Sequence, residues 1–186
     1  MPREGQPGPT CGPLGTTPSL LFHRSETSGL HRIYRDRECM RSYPAPKSYP
    51  ETRAWFQELA FDSDAWNGFG LWAVISRDTG DPIGDCGLTL QRTPAGQEPE
   101  EEPEVGYHLW GWFGHQGFAT EAARACVRYG LGTLRMPRVV SITSPENLPS
   151  QKVAERVHQR REVFTRISRA TGQEVLRYLY VTDAEA

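Results

Sequence analysis

The glycine-rich run Gly111-Trp-Phe-Gly-His-Gln-Gly117 stands between an alternating segment and an amphipathic one, an order of elements that can hold phosphate. Before it, Glu104-Val-Gly-Tyr-His-Leu-Trp110 sets Val105, Tyr107 and Leu109 against Glu104, Gly106, His108 and Trp110, the period of a strand. After it, Phe118, Ala122 and Cys126 form one i, i+4 row and Ala119, Ala123, Val127 and Leu131 the next, which predicts a helix from Phe118 to about Leu131. The unpaired N–H groups of a helix's first turn, with the positive end of its dipole, attract an anion that a glycine loop lets approach closely. A turn that merely joins strand to helix is the alternative. A Walker loop is excluded because no Lys precedes the helix at Gly117-Phe118-Ala119. The glycine spacing (111, 114, 117) is not that of a Rossmann turn either.

Around this segment the chain supplies the elements of an α/β domain. Leu20-Leu21-Phe22 reads as a first strand. Leu30, Ile33 and Tyr34 predict a helix reaching about Arg41, broken by Pro44 and Pro46. Pro50 opens a second helix through Trp55, Phe56 and Leu59. Leu71–Ile75 and Ile83–Leu90 flank a turn at Asp78–Pro82 and predict a hairpin. Residues 93–103, with Glu98, Glu100, Glu101 and Glu102, read as a solvated loop, or as an acidic lip that attracts a cationic acceptor. Further strands are expected at Val139–Thr143 and Val175–Val181, with a helix beginning at Pro149.

Composition narrows the class. The chain has 186 residues, enough for one domain, with 37% hydrophobic and 24% charged residues. Twenty-one Lys+Arg against 23 Asp+Glu give a net charge of −2, which argues against unspecific binding to nucleic acid or anionic membrane. No run approaches the roughly 18 apolar residues of a spanning helix. Cys11, Cys39, Cys86 and Cys126 are scattered, without a C-x-x-C pair or a secretory signal, and read as reduced thiols of a cytoplasmic protein, not as a metal site. Residues 1–18 hold five prolines and four glycines and read as a disordered tail, leaving 19–186 as the folded domain.

Glu104-Val-Gly-Tyr-His-Leu, followed after seven intervening residues by Gly117-Phe-Ala-Thr-Glu-Ala122, resembles the core of the GNAT acyl-CoA N-acyltransferases, in particular the RimJ/RimL-like branch. Glu146-Asn147-Leu-Pro-Ser150 extends the resemblance, as do Ile33-Tyr-Arg-Asp36, Met40 and Glu51-Thr-Arg-Ala-Trp55 upstream, so that it covers about residues 19 to 181. It implies a mixed, mostly antiparallel central sheet flanked by about four helices, with two central strands, here 104–110 and 139–143, splaying apart. Acetyl-CoA would enter that gap. Its pantetheine would pair with backbone near His108, Leu109 and Trp110, and its pyrophosphate would rest on amides of Gln116, Gly117, Phe118, Ala119 and Thr120. The chain departs from the branch at Gly114-His115, where a tryptophan is usual, and at Val157-His158-Gln159, where a helix-ending glycine is usual.

The activity so implied is acetyl transfer to a primary amine, a protein N-terminus or a small amine, by direct attack in a ternary complex. Such a reaction needs a base for the amine and an acid for the departing thiolate, but no metal. The resemblance assigns the base to Glu104, with a solvated carboxylate as the plainer role. His108, on the same strand face and about 13 Å along it, is an alternative base or a packing histidine. Many relatives carry a tyrosine on the helix that begins at Pro149; this chain has none between Tyr129 and Tyr178, so Ser150 is the acid candidate or a capping hydroxyl. Asn147 would contact the cofactor or form a turn before Pro149. A homodimer accords with the family. A non-catalytic acyl-CoA-binding module is the alternative function.

Overall fold

The computed structural model describes residues 20–23, 27–93, 100–168 and 171–185; the expected tail lies outside them. Strand β1 (Leu20–His23) precedes helix α1 (Thr27–Tyr34) and helix α2 (Tyr49–Phe56). A π-helical turn (Gln57–Asp62) carries α2 into the short α3 (Ser63–Asn67). Strands β2 (Leu71–Ser76), β3 (Pro82–Thr93) and β4 (Glu100–Leu109) follow, then helix α4 (Phe118–Arg128) with a π-helical turn over Tyr129–Thr133. Strand β5 (Arg138–Thr143), helix α5 (Leu148–Val157) and strands β6 (Arg160–Ile167) and β7 (Glu174–Asp183) complete the chain.

Among the described residues these strands form one seven-stranded sheet in the order β1-β2-β3-β4-β5-β7-β6. Every neighbouring pair is antiparallel except β4 and β5, which are parallel and in register at a single pair, Glu104 with Val140. The mixed, mostly antiparallel sheet with splayed central strands is thus as expected.

Alternation in the strands sorts side chains between two cores. On one face Trp72, Val74, Cys86, Leu88 and Val105 pack against Ala122, Ala123, Cys126 and Val127 of α4. On the other, Leu71 and Ala73 meet Leu30, Ile33 and Tyr34 of α1 and Phe56 of α2. Leu30 and Ile33 are fully buried, and burial of that kind contributes about 1.5–3 kcal/mol per side chain. Ser48 starts α2 with a capping box: its N–H donates to Glu51 Oε2 at 2.7 Å, and its hydroxyl accepts from the Glu51 amide.

Several boundaries differ from the sequence expectation. Helix α1 stops at Tyr34, not near Arg41, because Asp36 Oδ1 accepts the Cys39 amide at 2.9 Å and turns the chain. Glu100, Glu101 and Glu102 belong to β4 instead of a loop. Glu102 is buried, accepts from the Thr93 hydroxyl and pairs with Arg138 Nε at 2.5 Å, so it forms no part of an acidic lip. Glu98 lies outside the described residues. Strand β6 carried no visible signal. It is an edge strand with nearly every residue exposed, so no buried face imposes an alternation on Arg160-Arg-Glu-Val-Phe-Thr-Arg-Ile167.

Candidate active site

Beyond the pair at Glu104 and Val140, β4 and β5 diverge, and the site is built around that gap. Trp110 donates its N–H to the Ile83 carbonyl at 2.9 Å, on the β3 side. Antiparallel ladders alternate the edge to which main-chain groups point, so His108 and Trp110 face β3 while Tyr107 and Leu109 face the gap. Of the three residues expected to pair with pantetheine, Leu109 therefore presents its own main chain there.

Glu104 is half-buried at the mouth of the gap, and its Oε1 accepts the amide hydrogen of Ile142 at 3.1 Å. Burial of the carboxyl pushes its pKa up to about 7, against the opposing effects of the Ile142 hydrogen bond, the positive charge of Arg166 and, when its ring is protonated, that of His108. A carboxyl poised near neutrality changes charge easily, which a general base requires.

Across the gap, Ser150 sits in the first turn of α5. Its hydroxyl lies 2.8 Å from Tyr107 Oη, which is also 3.0 Å from the Ser150 carbonyl. Asn147 is the helix cap: its Oδ1 accepts the Ser150 amide at 3.3 Å. Asn147 also lines a cleft of about 590 Å³ together with Arg41, Ser42, Ser144, Glu146 and Arg177. That cleft opens at the end of β5, next to the gap.

The glycine loop folds as a 3₁₀ turn over Gly111–Phe113, and Gly117 then caps α4 with φ of 90°, a value that disfavours any side chain. No side chain caps the helix, and nothing lies within 4 Å of where a Cβ on Gly117 would stand. The amides of Phe118, Ala119 and Thr120, in the first turn of α4, have no side-chain cap, and beside them the Gln116 side-chain amide donates to the Trp112 carbonyl at 3.1 Å. This uncapped, open turn fits a pyrophosphate. The glycine normally ending α5 is replaced by His158, whose ring bridges Thr182 Oγ1 at 2.9 Å and Ser141 Oγ at 3.0 Å, fixing the helix end to β5 and β7.

The structure joins Tyr107 to Ser150 and sets Glu104 at the last β4–β5 pair, while the His108 side chain turns to the α1 face of the sheet. The His108 imidazole instead lies among Asp85, Tyr34 and Tyr43. Sequence reading did not find Tyr107, Tyr43 or Asp85 as site residues. Tyr107 lies 43 positions from Ser150, and Tyr43 65 from His108, so no local spacing joins them. Among the described residues there is no group of three or more His, Cys, Asp or Glu placed to hold a metal. No helix among them is long and apolar enough to cross a membrane.

Residues 21–160 match the family model described as "Acetyltransferase (GNAT) domain". The uncharacterized protein YkkB of Bacillus subtilis (strain 168) is 30% identical over 138 residues, 72% of this chain and 75% of that protein. Among solved structures, a GNAT-family acetyltransferase from Bacillus anthracis has a TM-score of 0.72 at 21% identity, covering 90% of this chain and 96% of that one. RimL, a ribosomal L7/L12 alpha-N-protein acetyltransferase solved in complex with coenzyme A, has a TM-score of 0.68 at 17% identity, covering 92% and 97%. At these identities the two structures establish a shared fold.

Proposed function

This chain belongs to the GNAT acetyltransferase family, and from that premise we propose that it is a cytoplasmic enzyme of the RimJ/RimL-like branch that moves an acetyl group from acetyl-CoA to a primary amine by direct attack in a ternary complex. The observation that carries this reading is the half-buried Glu104, with a pKa of about 7, at the point where β4 and β5 part. The free thiols of Cys39, Cys86 and Cys126 agree with a reducing compartment.

When bound, acetyl-CoA supplies a thioester already activated toward amines. The chain's part is to bind, orient and move protons. The amides of Gln116 to Thr120 receive the pyrophosphate, and Gly117 keeps their approach open. The main-chain groups of Leu109 and Tyr107 offer the strand edge to pantetheine, with His108 and Trp110 holding that strand against β3. Asn147 holds the start of α5 and thereby sets Ser150.

Glu104 takes a proton from the amine; the C–S bond breaks with its electron pair on sulfur, and Ser150, hydrogen-bonded to Tyr107, passes a proton to that thiolate and recovers one from solvent. The 590 Å³ cleft between Arg41 and Arg177 receives the acceptor. Much of the acceleration comes from holding the two reactants together.

Calorimetric titration of acetyl-CoA tests the site, beside a Gly117→Glu variant that puts a carboxylate where pyrophosphate would sit. Micromolar binding, lost in the variant, supports the reading; no binding by the intact chain sinks it. Thiol release is then measured over a panel of peptide N-termini, polyamines, amino sugars and amino acids. Turnover with none of these amines would leave the binding module instead of the enzyme.

A further inference from the structure

On the α1 and α2 face of the sheet, three side chains stand in an order that the β4–β5 gap does not account for. Asp85 of β3 is fully buried. Tyr34 Oη donates to its Oδ2 at 2.7 Å, and His108 Nδ1 lies 3.1 Å from its Oδ1. The other ring nitrogen, His108 Nε2, is 2.5 Å from Tyr43 Oη. The rings of Tyr34 and Tyr43 lie 5.2 and 5.0 Å from the imidazole and fix its plane.

The partners decide the proton positions. A carboxylate only accepts, and Tyr34 has given its one proton to Oδ2, so Nδ1 of His108 carries the hydrogen facing Asp85. With the ring neutral, Nε2 is then a lone pair, to which the Tyr43 hydroxyl donates. The result is a hydroxyl–imidazole–carboxylate series, the order by which a hydroxyl is made able to pass on its proton. A histidine packed for stability alone does not require a fully buried aspartate behind it, since a buried carboxylate is costly to desolvate.

The hydroxyl end of the series is within electrostatic reach of Glu104, whose charge acts on the Tyr43 phenol. Arg41 and Ser42, immediately before Tyr43, line the acceptor cleft. Burial, followed by the negative charges of Asp85 and Glu104, pushes the Tyr43 phenol well above its ordinary pKa, so it stays protonated and passes a proton through rather than ionising.

We propose that Tyr43, His108 and Asp85 form a proton relay for the acceptor amine, with Tyr43 a further catalytic residue and His108 the group that stores the proton. The inference rests on the acetyltransferase reading above. An ammonium that becomes an amide loses two protons, and Glu104 holds one of them. For the other, an amine N–H bond breaks as its proton joins Tyr43 Oη, while the Tyr43 O–H proton passes to His108 Nε2. Nitrogen keeps the electron pair, and the imidazolium formed is held by Asp85. The proton leaves to water after product release. Asp85 acts through His108 and is a positioning residue.

The test begins with the intact chain, labelled with ¹⁵N in histidine, its His108 signal assigned by loss in His108→Gln. The relay requires the neutral Nδ1–H tautomer at neutral pH; the Nε2–H tautomer overturns it whatever the enzyme turns over. Turnover is followed with acetyl-CoA and the fastest amine of the panel above. Tyr43→Phe keeps the ring packing, which its melting temperature verifies. It should lower kcat about 100-fold with KM for acetyl-CoA unchanged, and should change the solvent proton inventory from curved to linear. Asp85→Asn should shift His108 to the other tautomer and lower kcat similarly. Unchanged kcat in Tyr43→Phe, or a linear inventory in the intact enzyme, overturns the relay while leaving the acetyltransferase reading intact. No turnover by the intact chain removes both, and is seen before any variant is measured.

Discussion

Glu104 faces Val140 at the one register pair between β4 and β5 among the described residues, and its carboxylate reaches past that pair to the Ile142 amide at 3.1 Å. The last cross-strand pair and the acid–base candidate therefore coincide. The Ile142 N–H favours the charged carboxylate, burial favours the neutral acid, and burial prevails, giving the pKa of about 7.

That balance sets a pH profile. With an acceptor amine of low pKa, whose own ionisation lies below the window, kcat/KM should rise with pH to a plateau above about 7 as Glu104 loses its proton. Glu104→Gln should remove this limb and lower kcat about 100-fold. The stability effect has the opposite sense. Between the ordinary 4.5 and about 7 the folded chain holds a proton that the unfolded chain has released, so stability falls as pH rises through that window. Melting curves of Glu104→Gln should lack that fall.

In the proposed reaction Ser150 and Tyr107, their oxygens 2.8 Å apart, act on the thiolate as a pair. Ser150→Ala should lower kcat roughly 10- to 100-fold, the lower part of the range for loss of an acid, with KM for acetyl-CoA nearly unchanged. Tyr107→Phe should have a smaller effect on kcat, because Ser150 keeps its own proton. Steady-state thiol release separates the two; equal wild-type rates in both would remove the pair from the chemistry.

Gly117, at φ of 90°, tests whether the loop backbone binds the cofactor. Gly117→Ala meets no neighbour, so its effect is conformational: about 1–2 kcal/mol of strain. It should lower the melting temperature slightly and raise the acetyl-CoA dissociation constant. Gly132→Ala, at an exposed position with nothing within 4 Å and no positive φ, is the control and should leave binding as it is.

His158 should make stability acid-sensitive. Burial lowers its pKa from 6.5 to about 4, so the folded chain keeps it neutral between Thr182 and Ser141 while the unfolded chain takes up a proton. Stability is therefore lost as pH falls from about 6.5 toward about 4. His158→Gln should flatten the melting temperature across that range, a result readable by thermal denaturation alone.

Much of the fold was legible in the sequence wherever a buried face imposed a period. β2, β3 and α4 lie against cores on the sheet's faces, so their apolar residues recur at two or at three and four, and their positions were read closely. Where no face is buried the pattern vanishes: β6 exposes nearly every side chain and left no trace. The end of α1 was misread because a local Asp36 to Cys39 bond, not hydrophobic spacing, turns the chain. Glu100 to Glu102 looked like solvated loop because charge implies water, yet Arg138, 36 positions away, takes Glu102 inside.

By itself, the sequence determined the strand, the glycine loop and the helix that follows, since backbone dihedrals and helix dipoles depend on neighbouring residues. It marked Glu104, Gly117 and Ser150 through motifs whose members are close along the chain. The tertiary structure decided which atoms meet. The divergence of β4 from β5, the Tyr107 hydroxyl against Ser150, and the imidazole of His108 between Asp85 and Tyr43 all join residues from separate elements. Contacts of that kind depend on how sheet and helices pack, and hydrogen bonds of a few ångströms are fixed only when the packing is.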